Sequence, residues 1–135
     1  MTQTEIIDRI AGAIAVIEGF YDDPAKCKRL GNPYPNIPQR NNNPGNIWDG
    51  LGKGKTRRIW PSLPIDGSGF VIYPSAEAGF AALRNDIKIK INKGMTLKQI
   101  IYMYAPPSEN NTKAYLEGVA KSTNLPIDAV LKEIK

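Results

Sequence analysis

The chain has 135 residues and carries 18 Lys and Arg against 13 Asp and Glu, a formal charge of +5. At 41% hydrophobic and 23% charged, it reads as one folded domain over residues 1–135 and not as a disordered tail. It holds no His and one cysteine, Cys27. That excludes Ser-His-Asp and Cys-His catalysis, His-ligated zinc, an intramolecular disulfide and a Cys-rich metal cluster, so no metal or cofactor is expected. Acid–base chemistry would have to come from carboxylates, Lys or Tyr.

In chain order, residues 4–18 predict a helix. Ile7, Ala11, Ile14 and Glu18 form one stripe, and Ile6, Ile10, Ala13 and Ile17 its neighbour, with Gly19 as the stop. The apolar stretch from Ile10 to Ile17 is too short to span a membrane, and acidic Glu5 and Asp8 precede it where a signal peptide would be basic. Cytoplasmic synthesis without a signal peptide is therefore expected. Residues 20–68 are rich in Pro, Gly and Asn, with turn signals at Gly31-Asn32-Pro33 and Asn43-Pro44-Gly45-Asn46. Thr56–Trp60 and Gly69–Tyr73 predict two short strands, giving an irregular lobe with a small β-hairpin. Ser75 caps a helix that shows Phe80, Leu83, Ile87 and Ile91 on one face and ends at Gly94. Thr96 and Gln99 form a capping box for a helix to about Tyr104, stopped by Pro106-Pro107. A helix over Thr112–Thr123 and a short one after Pro126 complete a mainly α (α+β) fold.

Glu18 is the carboxylate out of place. It ends an apolar stripe, where desolvation favours the neutral acid, and it sits at a helix C-terminus, where the helix dipole does the same. Such a Glu suits protonation of a leaving oxygen near neutral pH; the alternative is a side chain turned into solvent at a frayed helix end.

Four segments carry a resemblance in their order: Ile17-Glu18-Gly19-Phe20, Asn41-Asn42-Asn43-Pro44-Gly45-Asn46-Ile47, Gly69-Phe70-Val71-Ile72-Tyr73-Pro74-Ser75, and Tyr104-Ala105-Pro106-Pro107. Together they resemble the small lysozyme-superfamily muralytic proteins of phages and prophages, endolysins or virion-associated, and more distantly the bacterial cell-wall glucosaminidases. The resemblance spans about residues 10–120. It implies a lysozyme-like, two-lobed fold with a groove, cleavage of β-1,4 bonds in the peptidoglycan glycan strand, and Glu18 in the place of the catalytic acid. It also implies action on the wall after release or as part of a phage virion.

Other residues take roles beside it. Asn43 and Asn46 offer donors and acceptors to N-acetylated sugars, or simply make turns. Tyr104 can stack on a sugar and donate a hydrogen bond, or fill the core; Tyr73 is a strand residue or a weaker substrate contact. Asp49 and Asp66 are candidates for a second carboxylate, with Asp22 and Asp23 behind them. Without one, a lytic transglycosylase route remains, in which a single Glu works with the substrate's acetamido group and leaves an anhydro sugar. A non-catalytic wall-binding virion component on the same fold is a further alternative. Lys53, Lys55, Arg57 and Arg58 form a basic cluster that suits anionic wall polymers, peptide carboxylates or a plain solvated loop. Gly50 to Gly54-Lys55-Thr56 has three intervening residues and not the four of a phosphate-binding loop. Bacterial peptidoglycan is the expected partner; nucleic-acid binding and membrane insertion are not expected, and neither is self-association beyond a monomer.

Overall fold

The computed structural model describes residues 1–51 and 55–135, and the chain is mainly helical. It divides into two units. One comprises Met1–Ile17 and Arg84–Lys135, the other Glu18–Leu83.

The first unit is built on α1 (Gln3–Ile17), α5 (Leu97–Tyr104), α6 (Thr112–Thr123) and the later turns of α4 (Ala76–Asn92). The predicted stripes of α1 are buried except at their end: Ile6, Ile10 and Ile14 are sealed from solvent, with Ile7, Ala11 and Ala13 beside them, whereas Ile17 is exposed. Each such Ile contributes about 1.5–3 kcal/mol by leaving water. Ile87 and Ile91 of α4, Leu97, Ile100 and Ile101 of α5, and Val119 of α6 complete this core. Helix α6 packs on α1 and on α5. The Thr96–Gln99 capping box is present in both directions, and Asn111 caps α6 through the amide of Ala114. The short helix predicted after Pro126 is a 3-10 turn at Leu131–Glu133. Preceding backbone is spent on the start of α5: Ile127 O accepts from Lys98 N at 3.1 Å, and Leu131 N donates to Met95 O at 3.2 Å. No helix among the described residues is long and apolar enough to cross a membrane.

The second unit holds α2 (Pro24–Arg29), α3 (Ile37–Arg40) and the first turns of α4, joined by irregular chain. Ser75 Oγ accepts from Ala78 N at 3.1 Å, the predicted cap of α4. In place of a continuous hairpin, antiparallel pairing among the described residues here consists of isolated bridges, Trp48 with Phe70 and Ile65 with Val71. Neither predicted strand forms among the described residues: within Gly69–Tyr73, Phe70 and Val71 each make a single bridge, and Thr56–Trp60 makes none. For Thr56–Trp60 the cause is local. The Ile59 and Trp60 amides, which a strand would offer to a ladder, donate instead to the buried carboxylate of Asp49, both at 2.8 Å.

Candidate active site

Glu18 follows the last residue of α1 and is half-buried, the first residue of a turn that continues through Tyr21. Gly19 makes the turn possible, at φ +88°, a region costly for any residue with a Cβ. A Cβ there would also come within 2.9 Å of Asp22 Oδ2 and 3.2 Å of Asn36 Nδ2. The turn is held from outside by the start of α3. Asn36 Nδ2 donates to Gly19 O at 2.8 Å, and Gln39 Nε2 donates to Phe20 O at 3.2 Å and to Asp22 O at 2.6 Å. Asn36 and Gln39 also form the capping box of α3, so one pair of amides both starts a helix and fixes the backbone after Glu18. Neither residue stood out in the sequence; the signal was the Asn-x-x-Gln spacing, hidden among prolines.

The Asn-rich segment is a junction of backbone. Asn43 is fully buried and spends its whole side chain internally: Nδ2 donates to Ile47 O and Val71 O, each at 2.9 Å, and Oδ1 accepts from Ile47 N at 2.8 Å. It ties two loops together and has nothing left for a sugar, which corrects its expected role. Asn41 donates to Asp66 Oδ2 at 2.8 Å, and Asn42 to Tyr73 O at 3.2 Å. Asn46 differs. It takes φ +49°, is half-buried, and its Oδ1 is the buried side-chain atom left without a hydrogen-bond partner among the described residues. Behind this segment lies Gly79 of α4, where a Cβ would fall 1.9 Å from Asn42 O. Only glycine lets α4 pass so close to that carbonyl.

Both expected second carboxylates are consumed by structure. Asp49 is sealed from solvent; Oδ1 accepts from Ile59 N and from Lys55 Nζ at 3.2 Å, and Oδ2 from Trp60 N, with Arg58 Nε 3.6 Å away. Burial pushes its pKa up, but the two amides and Lys55 outweigh burial and hold the carboxyl below its ordinary value. Asp66 is similar. Burial raises its pKa, while Asn41 and the amides of Phe70 and Ser68 bring it below the ordinary value. Its Oδ1 accepts from Ser68 N at 2.9 Å and Phe70 N at 3.0 Å, closing the Gly-rich turn. Asp49 is sealed from water, whereas Asp66 is half-buried with both oxygens in hydrogen bonds. Asp22 is paired with Lys26 at 3.1 Å, and Asp23 caps α2.

Tyr73 is 5% exposed and packs inside the second unit, its amide donating to Asn41 O at 2.8 Å, so it offers no open face to a ligand. Tyr104 closes α5 in the first unit, half-buried, with Lys90 Nζ 5.2 Å from its ring centroid. Beside Glu18 in sequence, Phe20 and Tyr21 form a cluster with Phe80: Phe20 meets Phe80 edge-on at 5.5 Å, and Tyr21 stacks on Phe80 at 6.5 Å. Of the basic cluster, Lys55 and Arg58 neutralise Asp49; Gly52, Lys53 and Gly54, including the centre of the glycine-rich run, lie outside the described residues. Comparison of the chain with protein-family models, with curated proteins and with solved structures gives no match.

Proposed function

We propose that the chain is a peptidoglycan glycosidase with a lysozyme-like, two-lobed fold, in which the irregular unit has the part of the β-lobe and Glu18 is the general acid. One observation carries the reading. Glu18 stands where a buried isoleucine stripe ends, half-buried itself, on a turn whose carbonyls are clamped by Asn36 and Gln39. A proton donor has to be held still relative to the leaving oxygen, and this clamp serves that need.

The engagement of Asp22, Asp23, Asp49 and Asp66 favours a single-carboxylate route over a two-carboxylate one. The Glu18 carboxyl gives its proton to the bridging oxygen as the bond from that oxygen to the anomeric carbon breaks. The acetamido oxygen of the same sugar meets the positive charge at the anomeric carbon. The Glu18 carboxylate then takes a proton from the attacking hydroxyl and is restored. If the attacker is water, the product has a reducing end; if it is the sugar's own C6 hydroxyl, the product is an anhydro sugar. The route with the internal hydroxyl is that of a lytic transglycosylase and asks least of the protein. Asn46, in the same unit as Glu18 and with an acceptor unspent, suits the acetamido N–H.

Mass spectrometry of purified sacculi treated with the protein tests this. Anhydro-muramyl ends are expected from the wild type and none from Glu18→Gln. A folded Glu18→Gln protein that releases the same products at the wild-type rate would overturn the reading.

A further inference from the structure

The second unit contains a pocket of about 570 Å³, lined among the described residues by Lys55, Arg57, Arg58, Ile59 and Pro61. Its size is that of a small-ligand site. Its charge is unbalanced. Lys55 and Arg58 share one acidic partner, the buried Asp49, and Arg57 is exposed and enters no ion pair among the described residues. Three cations against one carboxylate leave a surplus of two positive charges at the pocket wall.

The wall is also well anchored. Arg58 is fixed by two backbone carbonyls, donating from Nε to Asp49 O at 3.1 Å and from a terminal nitrogen to Leu63 O. The Asp49 carboxylate holds Ile59 and Trp60 by their amides. Arg58, Ile59 and the approach to Pro61 therefore keep their places before any ligand arrives, which lowers the ordering cost of binding.

The apolar part of the lining selects among anions. Ile59 is 61% exposed, and Pro61 is exposed beside it. A phosphate would use the cations and leave these two surfaces wet. A carboxylate carrying a small aliphatic group would pair with Arg57 and cover Ile59 and Pro61 at once, gaining about 25 cal/mol for each Å² of apolar surface removed from water. We infer that this pocket takes the terminal carboxylate of a short, alanine-ended peptide, as found on the stem peptides of peptidoglycan. The choice of the wall as the source rests on the glycosidase reading; the carboxylate recognition rests on the pocket alone.

Titration of the full chain with N-acetyl-alanyl-alanine, followed by Trp fluorescence and by calorimetry, tests the inference. The C-terminal amide of the same peptide, inorganic phosphate and a short DNA oligonucleotide serve as comparison probes. Saturable binding of the free acid is expected, at least tenfold weaker for the amide and at least tenfold weaker in Arg57→Gln. Glu18→Gln should bind the peptide as the wild type does, so loss of lysis and loss of peptide binding report on separate proposals. Equal binding of acid and amide, tighter binding of phosphate or DNA, an unaffected Arg57→Gln protein, or no saturation at millimolar peptide would each overturn it.

Discussion

The side-chain amide of Asn36 donates to the carbonyl of Gly19 at 2.8 Å, one residue beyond Glu18. Seventeen residues of chain separate the two partners, and the bond is buried. It couples the start of α3 to the backbone that carries the proposed acid, so the position of Glu18 depends on a residue with no chemistry of its own.

Asn36→Ala removes the cap of α3, half of its capping box and the bond to Gly19. Loss of a cap costs about 1 kcal/mol, and loss of the bond to the Gly19 carbonyl, which keeps the Asp22 amide as a donor at 3.1 Å, costs about 0.5–1.5 kcal/mol more. Urea unfolding should show a loss of about 1.5–2.5 kcal/mol, and lytic activity at temperatures where the variant is folded should fall. Gly19→Ala should lose a comparable amount, because φ +88° is costly for alanine and the new Cβ would crowd Asp22. An Asn36→Ala protein with wild-type stability and wild-type lysis would remove Asn36 from the support of Glu18.

Asp49→Asn should be the most damaging of the aspartate substitutions. The asparagine amide can accept from only one of the Ile59 and Trp60 N–H groups and would point a donor at the other, while Lys55 and Arg58 lose their counter-charge. Removing one partner from a buried charge cluster costs about 3–5 kcal/mol. The loss should appear in the unfolding midpoint. If Asp49 were instead a water-activating base, Asp49→Asn would keep its stability and lose turnover.

Acid should unfold the protein through the same residues. Asp49 and Asp66 are both held below the ordinary value of 3.8, by hydrogen bonds that outweigh the opposing effect of burial. Their folded carboxyls therefore keep their charge at a pH where the unfolded chain already binds protons. The stabilisation is fully present above pH 3.8 and is lost as pH falls through the lower, folded values. The melting temperature should hold steady from neutral pH to about 5 and drop steeply below 4. Asp66→Asn should start lower and drop less. A melting temperature flat from pH 6 to 2 would contradict this account of both aspartates.

Helices α1, α4 and α5 were legible because each is announced within a few residues of itself. The isoleucine period marks α1, the Thr96–Gln99 box marks α5, and Ser75 marks α4. The second unit was less legible because its order comes from side chains reaching backbone far away in sequence. Thr56–Trp60 has the composition of a strand, yet Asp49 takes its amides. Asn36-x-x-Gln39 is a readable capping box, but its reach to Gly19, Phe20 and Asp22 is tertiary. Glu18 stands out by its place in the apolar period, at the end of a helix, and by the resemblance. Asp49 and Asp66 read as candidate second carboxylates in an irregular lobe, and only their partners reveal that they staple it.

Asn43 and Asn46 look alike in sequence and should separate cleanly by experiment. Asn43 makes three internal hydrogen bonds and is sealed from solvent, so Asn43→Ala takes the side-chain partner from the Val71 carbonyl and the Ile47 amide, while the Ile47 carbonyl keeps the Val71 amide at 2.9 Å. At about 1–3 kcal/mol for each buried group without a partner, the variant should be strongly destabilised, yet its KM for wall fragments should match the wild type wherever it is folded. Asn46 offers the opposite case. Its Oδ1 has no hydrogen-bond partner among the described residues, and its φ of +49° suits glycine. Asn46→Gly should therefore leave the unfolding midpoint nearly unchanged and raise KM severalfold. If the two variants exchange these effects, the buried asparagine contacts the substrate and the half-buried one holds the loop, and the assignment of the Asn-rich segment made from its hydrogen bonds is wrong.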